Sequence, residues 1–139
     1  MNSRSTLTAL GGAVLVALAA YFGFGSGGAD SPRSTTPGRI DECPLDTLPR
    51  QAGDVVDDII GGGPFDYPAD DGGRFGNYEG ILPPEKTSYY REYTVTTPGE
   101  DDRGARRIVT GGGTRTDPDL WYYTDDHYES FCRIPDAED

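Results

Sequence analysis

The sequence predicts an α+β domain in which one short N-terminal helix packs on a small twisted antiparallel β-sheet. Three observations carry that prediction: one run of apolar residues at helical spacing between Pro and Gly, four later segments of period-2 alternation, and a composition rich in aromatics and turn formers. The 139 residues include 9 Tyr, 5 Phe, one Trp and 20 Gly, and 35% are apolar. That is enough for one modest core and too little for a second.

The helix begins after Leu48, where Pro49 is followed by Ala52, Val55, Val56, Ile59 and Ile60 and then by Gly61, Gly62 and Gly63. Proline pre-sets the backbone at a helix start and glycine ends one, so the run reads as about three turns with Asp54, Asp57 and Asp58 on the wet face. Pro64 to Gly73 is loaded with Gly, Pro and Asp, and Arg74 to Leu82 continues as surface loop. Beyond Pro83 and Pro84 the β-formers alternate in Tyr89–Val95, Arg106–Thr110, Leu120–Thr124 and Ser130–Ile134, each bounded by Gly, Pro or Asp. Four short strands so closely spaced imply an antiparallel sheet, with the helix on one face and the other face partly open.

Residues 1–29 carry one Arg and no acid. Arg4, the apolar run that ends with Ala13 to Phe24, and the small residues Gly25 to Ala29 have the layout of a secretory signal peptide cleaved before Asp30. Leu7 to Phe24 also has the length of an N-terminal membrane anchor, but its glycines and the lack of a stop-transfer cluster favour removal. Residues 30–42, with Ser, Thr, Pro and Gly and no apolar period, read as a linker, and 43–139 as the domain. Export places the domain outside the cell, where Cys43 and Cys132 are expected to pair. Such a bridge closes a loop of about 90 residues and stabilises the fold by ~4 kcal/mol through the unfolded chain.

With 24 acidic and 12 basic residues the formal charge is −12, which excludes a generic polyanion binder. Any nucleic-acid chemistry must rest on a local cluster of cations. The alternation places Glu92 in mid-strand on one face with Tyr90 and Thr94. In an extended segment Arg103 and Arg107 project to the same side and Arg106 to the other. His127, the only His of the chain, lies at a turn after Asp125 and Asp126 and beside Tyr128. A carboxylate, an imidazole and two guanidinium groups are the parts of a base, an acid and an anion clamp. Each also has an ordinary reading as a solvated or salt-bridged surface group.

Other motifs carry less. Asp66, Asp70 and Asp71 lack the ligand spacing and closing Glu of a calcium loop. The glycine triplets at 61–63 and 111–113 lack the Lys and Ser/Thr of a phosphate cradle and read as turns. No Ser or Cys nucleophile stands beside a base, and no metal-binding HExxH or CxxC spacing occurs.

Taken in order, Gly63-Pro64-Phe65, Phe75-Gly76-Asn77-Tyr78-Glu79, Tyr90-Arg91-Glu92-Tyr93-Thr94-Val95, Thr97-Pro98-Gly99, Arg103-Gly104-Ala105-Arg106-Arg107-Ile108 and Asp126-His127-Tyr128 resemble the microbial guanyl-specific ribonucleases of the barnase-like group. The resemblance is collinear from about Cys43 to Ile134. It implies the microbial ribonuclease fold, with Glu92 as general base, His127 as general acid, and Arg103 and Arg107 on the phosphate. It further implies that Glu79 accepts hydrogen bonds from guanine N1 and N2, that the amides around Gly76, Asn77 and Tyr78 address O6 and N7, and that Phe75 and Tyr128 lie near base and phosphate. The implied reaction cleaves single-stranded RNA 3′ of guanosine through a 2′,3′-cyclic phosphate, with no cofactor and no metal. The implied partners are single-stranded RNA and an acidic, barstar-like protein inhibitor matched to the Arg pair. A monomer without stable membrane association is expected once the leader is removed.

Two departures stand out. Tyr78 and Gly76 occupy positions where the relative most resembled has Arg and Gln, so one positive charge beside the guanine pocket is gone and the loop is freer. The competing reading is an exported RNA-binding or interaction domain that kept the fold and lost turnover, with Tyr78 as its hint.

Overall fold

Pro49, with φ −54° and ψ 141°, starts the helix α1 at Arg50–Gly61 without any side-chain cap. Its fixed φ takes the place of a capping hydroxyl at a position whose N–H would be unused in the helix anyway. Gly62 ends the helix in the left-handed region at φ 79°, its N–H bonded to Ile59 O, while the N–H of Gly63 returns to Asp58 O. Ala52, Val55, Val56 and Ile59 are buried along one stripe. Ile60, predicted as part of that stripe, is 42% exposed and falls just outside it. The computed structural model describes residues 38–139. The secretory leader expected over residues 1–29 lies outside the described residues, as does most of the linker, and among the described residues no helix is long and apolar enough to cross a membrane.

The sheet is a meander of five strands in chain order, all neighbours antiparallel: β1 Gly73–Arg74, β2 Tyr90–Thr94, β3 Arg107–Gly111, β4 Leu120–Thr124 and β5 Cys132–Arg133. Strand β1 lies where the sequence predicted surface loop. It is two residues long and is recruited by main-chain pairing of Gly73 with Glu92 and Arg74 with Arg91, which leaves no side-chain period to read. Strand β5 is shorter than the predicted Ser130–Ile134 because the N–H and hydroxyl of Ser130 are both used by the Asp126 carboxylate.

The register sorts the side chains into two layers. Tyr93, Ile108 and Tyr123 are cross-strand partners and pack with Val95 and Trp121 against α1. Glu92, Val109 and Tyr122 are likewise partners and belong to the opposite face, where Val109, Tyr122, Tyr90 and Leu82 form a second cluster with Phe75, Tyr128 and Phe131. The predicted arrangement, one helix packed on one face of an antiparallel sheet, is therefore the observed one.

The domain is attached to its own N-terminal side before Cys43. Ile40 packs on the second cluster, Asp41 O accepts the N–H of Arg133, and Glu42 forms a parallel bridge to Arg133. Beside this contact Cys43 and Cys132 are joined by the expected disulfide, with Cα atoms 5.7 Å apart and the two residues 89 positions apart in sequence.

Candidate active site

Because β2 alternates, Glu92 leaves the sheet on the face away from α1, with its side chain 19% exposed. Its Oε2 lies 3.6 Å from Arg103 Nη2 and 3.7 Å from Arg107 Nε. The hydroxyl of Tyr128 donates to the same oxygen.

The two arginines converge, but not by the route the sequence suggested. Residues 103–106 are irregular rather than extended, and the strand starts only at Arg107. Arg107 is 3% exposed, and its Nη1 donates to the carbonyls of Arg106 at 2.7 Å, Gly104 at 2.9 Å and Arg103 at 3.2 Å. One guanidinium thus holds the whole turn that carries the other. Gly104 permits this turn by taking φ 61°. Arg103 Nε donates to Thr94 Oγ1 at 2.9 Å, and its Nη atoms lie 3.9 Å from Asp70 and from Asp71.

Burial, then the neighbouring Arg103, lowers the pKa of Arg107, while Glu92, Asp71 and Asp70 oppose the shift. Arginine titrates so far above neutrality that the group remains a cation. After all these contacts two buried donors, Arg103 Nη2 and Arg107 Nε, still have no hydrogen-bond acceptor. Both belong to the cations flanking Glu92. Buried N–H groups are rarely left without a partner, and these two lie 3.6 and 3.7 Å from Glu92 Oε2, in ion pairs without a hydrogen bond.

His127 and Tyr128 are consecutive non-glycine residues at positive φ, 55° and 74°. Such backbone is strained and persists only where the surroundings fix it. Here Thr124 Oγ1 accepts the N–H of Tyr128 at 3.1 Å and donates to Asp126 Oδ1 at 2.8 Å, while Asp126 accepts from Ser130 and the N–H of His127 donates to Ala105 O at 3.1 Å. The His127 ring is exposed, with its centroid 4.9 Å from that of Tyr128, and Tyr128 lies under Arg107 at 6.0 Å. Burial acts to raise the pKa of Asp126, but hydrogen bonds from Ser130 and Thr124 outweigh it and hold the carboxyl below its ordinary range. This aspartate organises the turn that presents the imidazole.

The second half of the site is the loop after β1. Phe75 stacks on Tyr128 with centroids 4.7 Å apart and meets Tyr90 and Phe131 edge-on. Asn77, at φ 50°, clamps the loop: its side chain donates to Leu82 O at 2.9 Å and accepts the N–H of Leu82 at 3.1 Å. Leu82 itself is buried, so the clamp is tied to the second cluster. Among the described residues the main-chain N–H groups of Gly76, Asn77 and Tyr78 donate to no protein acceptor. Tyr78 is 85% exposed and its hydroxyl accepts from Arg74 at 3.2 Å, which brings a cation back beside position 78. Glu79 is exposed and in no ion pair among the described residues.

The structure therefore gathers Glu92, Arg103, Arg107 and Tyr128 into direct contact, places His127 beside Tyr128 and Phe75 against it, and keeps Glu79 at the loop surface. Three supports went unnoticed in the sequence. Thr94 shares the period-2 face of Glu92 and was open to discovery. Thr124 and Asp71 were not: Asp71 is 3% exposed and accepts the N–H groups of Thr94 at 2.7 Å and Tyr67 at 3.1 Å, bonds that nothing in a Gly/Asp-rich loop announces.

The open face of a helix-backed sheet thus carries a carboxylate flanked by two guanidinium groups. The model of the ribonuclease family matches residues 30–135, and the chain belongs to that family. It is 55% identical over 87 residues to guanyl-specific ribonuclease Sa3 of Kitasatospora aureofaciens, covering 63% of this chain and 58% of that protein's length. It is 48% identical over 102 residues to guanyl-specific ribonuclease St of Saccharopolyspora erythraea, covering 73% of this chain and 94% of the relative. Among solved structures, ribonuclease Sa2 with guanosine-2′-cyclophosphate superposes with a TM-score of 0.62 at 41% identity, over 69% of this chain and 96% of that one.

Proposed function

We propose that the domain is a secreted guanyl-specific endoribonuclease that cleaves single-stranded RNA 3′ of guanosine. The observation that carries the reading is the carboxylate of Glu92 set against two guanidinium groups, 3.6 Å from Arg103 and 3.7 Å from Arg107, with His127 beside Tyr128 at the same place. A base, an acid and two cations for the phosphoryl oxygens are the parts that cleavage of a diester needs. The relatives named guanyl-specific and the Sa2 complex with a guanosine cyclic phosphate support the base preference and the cyclic product.

In this mechanism Glu92 removes the proton of the ribose 2′-OH, which attacks the adjacent phosphorus. The P–O5′ bond breaks as His127 protonates the departing 5′ oxygen, and a 2′,3′-cyclic phosphate remains. Arg103 and Arg107 stabilise the charge that gathers on the non-bridging oxygens. Water then opens the cyclic ester with the two proton-transfer roles exchanged. The free amides of Gly76, Asn77 and Tyr78 and the carboxylate of Glu79 read the guanine edge, which is accessible only in an unpaired base. Phe75, stacked on Tyr128, joins the base side of the site to the phosphate side.

The disulfide accords with an oxidising, extracellular setting. The domain works as a monomer, and an acidic, barstar-like inhibitor would engage the same cation pair. Light scattering that gives a dimer mass would contradict the first statement, and an inhibitor whose affinity ignores Arg103→Ala and Arg107→Ala the second.

The experiment is cleavage of GpN dinucleotides with the cyclic phosphate followed directly. Glu92→Gln and His127→Ala are each expected to lower turnover by ~10²-fold or more with the fold retained. Near-normal rates in both variants would remove the assigned roles, and no cleavage by the unaltered protein would favour the silent binding domain instead.

A further inference from the structure

Away from the catalytic face, at the end of the sheet where β2 begins and β3 ends, the domain has a polar cavity of about 430 Å³. Its lining includes three cations, Lys86, Arg91 and Arg115, with the hydroxyl residues Ser88, Thr110 and Thr114 and a single carboxylate, Asp119. Arg91 belongs to β2 but alternates to the side opposite Glu92, and its Nη1 donates to Gly72 O at 3.0 Å.

Three cations gather in this one cavity. Acidic residues outnumber basic ones by 24 to 12, so a carboxylate is available almost everywhere. Arg50, Arg103, Arg107 and Arg133 each lie within 4.0 Å of one. Among the described residues six cations, Arg39, Arg74, Lys86, Arg91, Arg106 and Arg115, are in no salt bridge, and three of the six line this one space. Three cations against the one carboxylate of Asp119 leave the lining with an excess of positive charge, and such an arrangement raises the local concentration of anions. The lining lacks the apolar walls of an ordinary small-molecule pocket, so its ligand is recognised by charge and hydrogen bonds.

The cavity also has a neighbour. Lys86 lines a second hollow of about 300 Å³ bounded by Arg74 to Tyr78, the loop that follows β1. A polyanion leaving that loop meets Lys86 first and then Arg91 and Arg115. We propose that this cavity is an accessory phosphate site, which holds a phosphodiester of the substrate RNA outside the scissile GpN unit. The cationic site stands on its own geometry, whereas its assignment to RNA rests on the ribonuclease reading. In a protein of charge −12 it adds attraction for a longer chain to that of the Arg103 and Arg107 pair.

The test compares unaltered protein with the double variant Lys86→Gln, Arg115→Gln, which leaves the Arg91 bond to Gly72 in place. On a GpN dinucleotide kcat/KM is expected to stay within about 2-fold, while on a single-stranded oligonucleotide of about ten residues with one G it falls ~10-fold at low salt, with the salt slope reduced by about 1 to 2. A non-cleavable 2′-deoxy oligonucleotide should shift the amide resonances of Gly112, Gly113 and Thr114 in the unaltered protein and not in the variant. Equal losses on both substrates, or none on either, overturn the proposal. So does saturation of those amides by inorganic phosphate with no effect of substrate length, which would mark a free-anion site. Failure of the unaltered protein to cleave GpN would instead count against the ribonuclease reading, because the deoxy-oligonucleotide experiment does not depend on cleavage.

Discussion

The hydroxyl of Tyr128 donates to Oε2 of Glu92, the oxygen that also lies 3.6 Å from Arg103 Nη2 and 3.7 Å from Arg107 Nε, so three side chains converge on one carboxylate oxygen. Tyr128 reaches it only because its backbone adopts φ 74° in a turn held by Thr124.

Removing that hydroxyl tests whether it orients the base. Tyr128→Phe is expected to lower kcat on GpN by ~10-fold with KM within about 2-fold and with stability changed by about 1 kcal/mol, the scale of one hydrogen bond. The ring stays to stack on Phe75, so a rise in KM with kcat unchanged would show that Tyr128 serves binding rather than Glu92.

Asp71 supports the site from below. Its carboxylate accepts the N–H groups of Thr94 and Tyr67 and lies 3.9 Å from Arg103. Asp71→Ala leaves two donors and a guanidinium short of an acceptor and is expected to destabilise by ~2–4 kcal/mol in urea unfolding. A change under about 0.5 kcal/mol, the range of ordinary surface substitutions, would contradict the supporting role.

The two departures in the base loop act as one. A Cβ on Gly76 would fall 2.5 Å from the Tyr78 ring, so this ring position requires glycine at 76. Gly76→Gln is expected to displace Tyr78 and reduce kcat/KM on GpN, and Gly76→Gln with Tyr78→Arg to recover much of the loss. The coupling energy in the double-mutant cycle should reach about 0.5–3 kcal/mol, as for residues in contact. Strict additivity would mean that the two positions are independent.

Asp126 sets an acid limit. Its folded pKa lies below the ordinary 3.8, so its contribution to stability is complete above that value and is lost as pH falls through the lower folded one. Unfolding of unaltered protein and Asp126→Asn should differ at neutral pH, and the gap should close as pH drops below about 3.8. A gap that widens in acid would reverse the sign and exclude the hydrogen-bond explanation.

The helix was legible because Ala52, Val55, Val56 and Ile59 repeat at its own period and Pro49 and Gly62 mark its ends. Strands β2 to β4 were legible because Tyr93, Ile108 and Tyr123 alternate with Glu92, Val109 and Tyr122. The two-residue strand at Gly73–Arg74 was not, since only backbone pairing makes it. Glu92, Arg103, Arg107 and His127 were visible as residue types in order. The approach of Arg103 to Arg107 came out right for a reason the pattern did not hold, a turn folded around one guanidinium rather than an extended segment. Asp71 and Thr124 act through bonds to main-chain N–H groups distant from any motif, and such bonds leave no trace in spacing.

Both extremities of the domain meet on one strand, where Asp41 and Glu42 flank Arg133 and Cys43 is locked to Cys132. A pulling force applied to the two ends of the domain is carried by this covalent link across Cys43 and Cys132, outside strands β1 to β4. The stretch of chain between the two cysteines, which holds α1 and strands β1 to β4, is thereby shielded from tension on the ends.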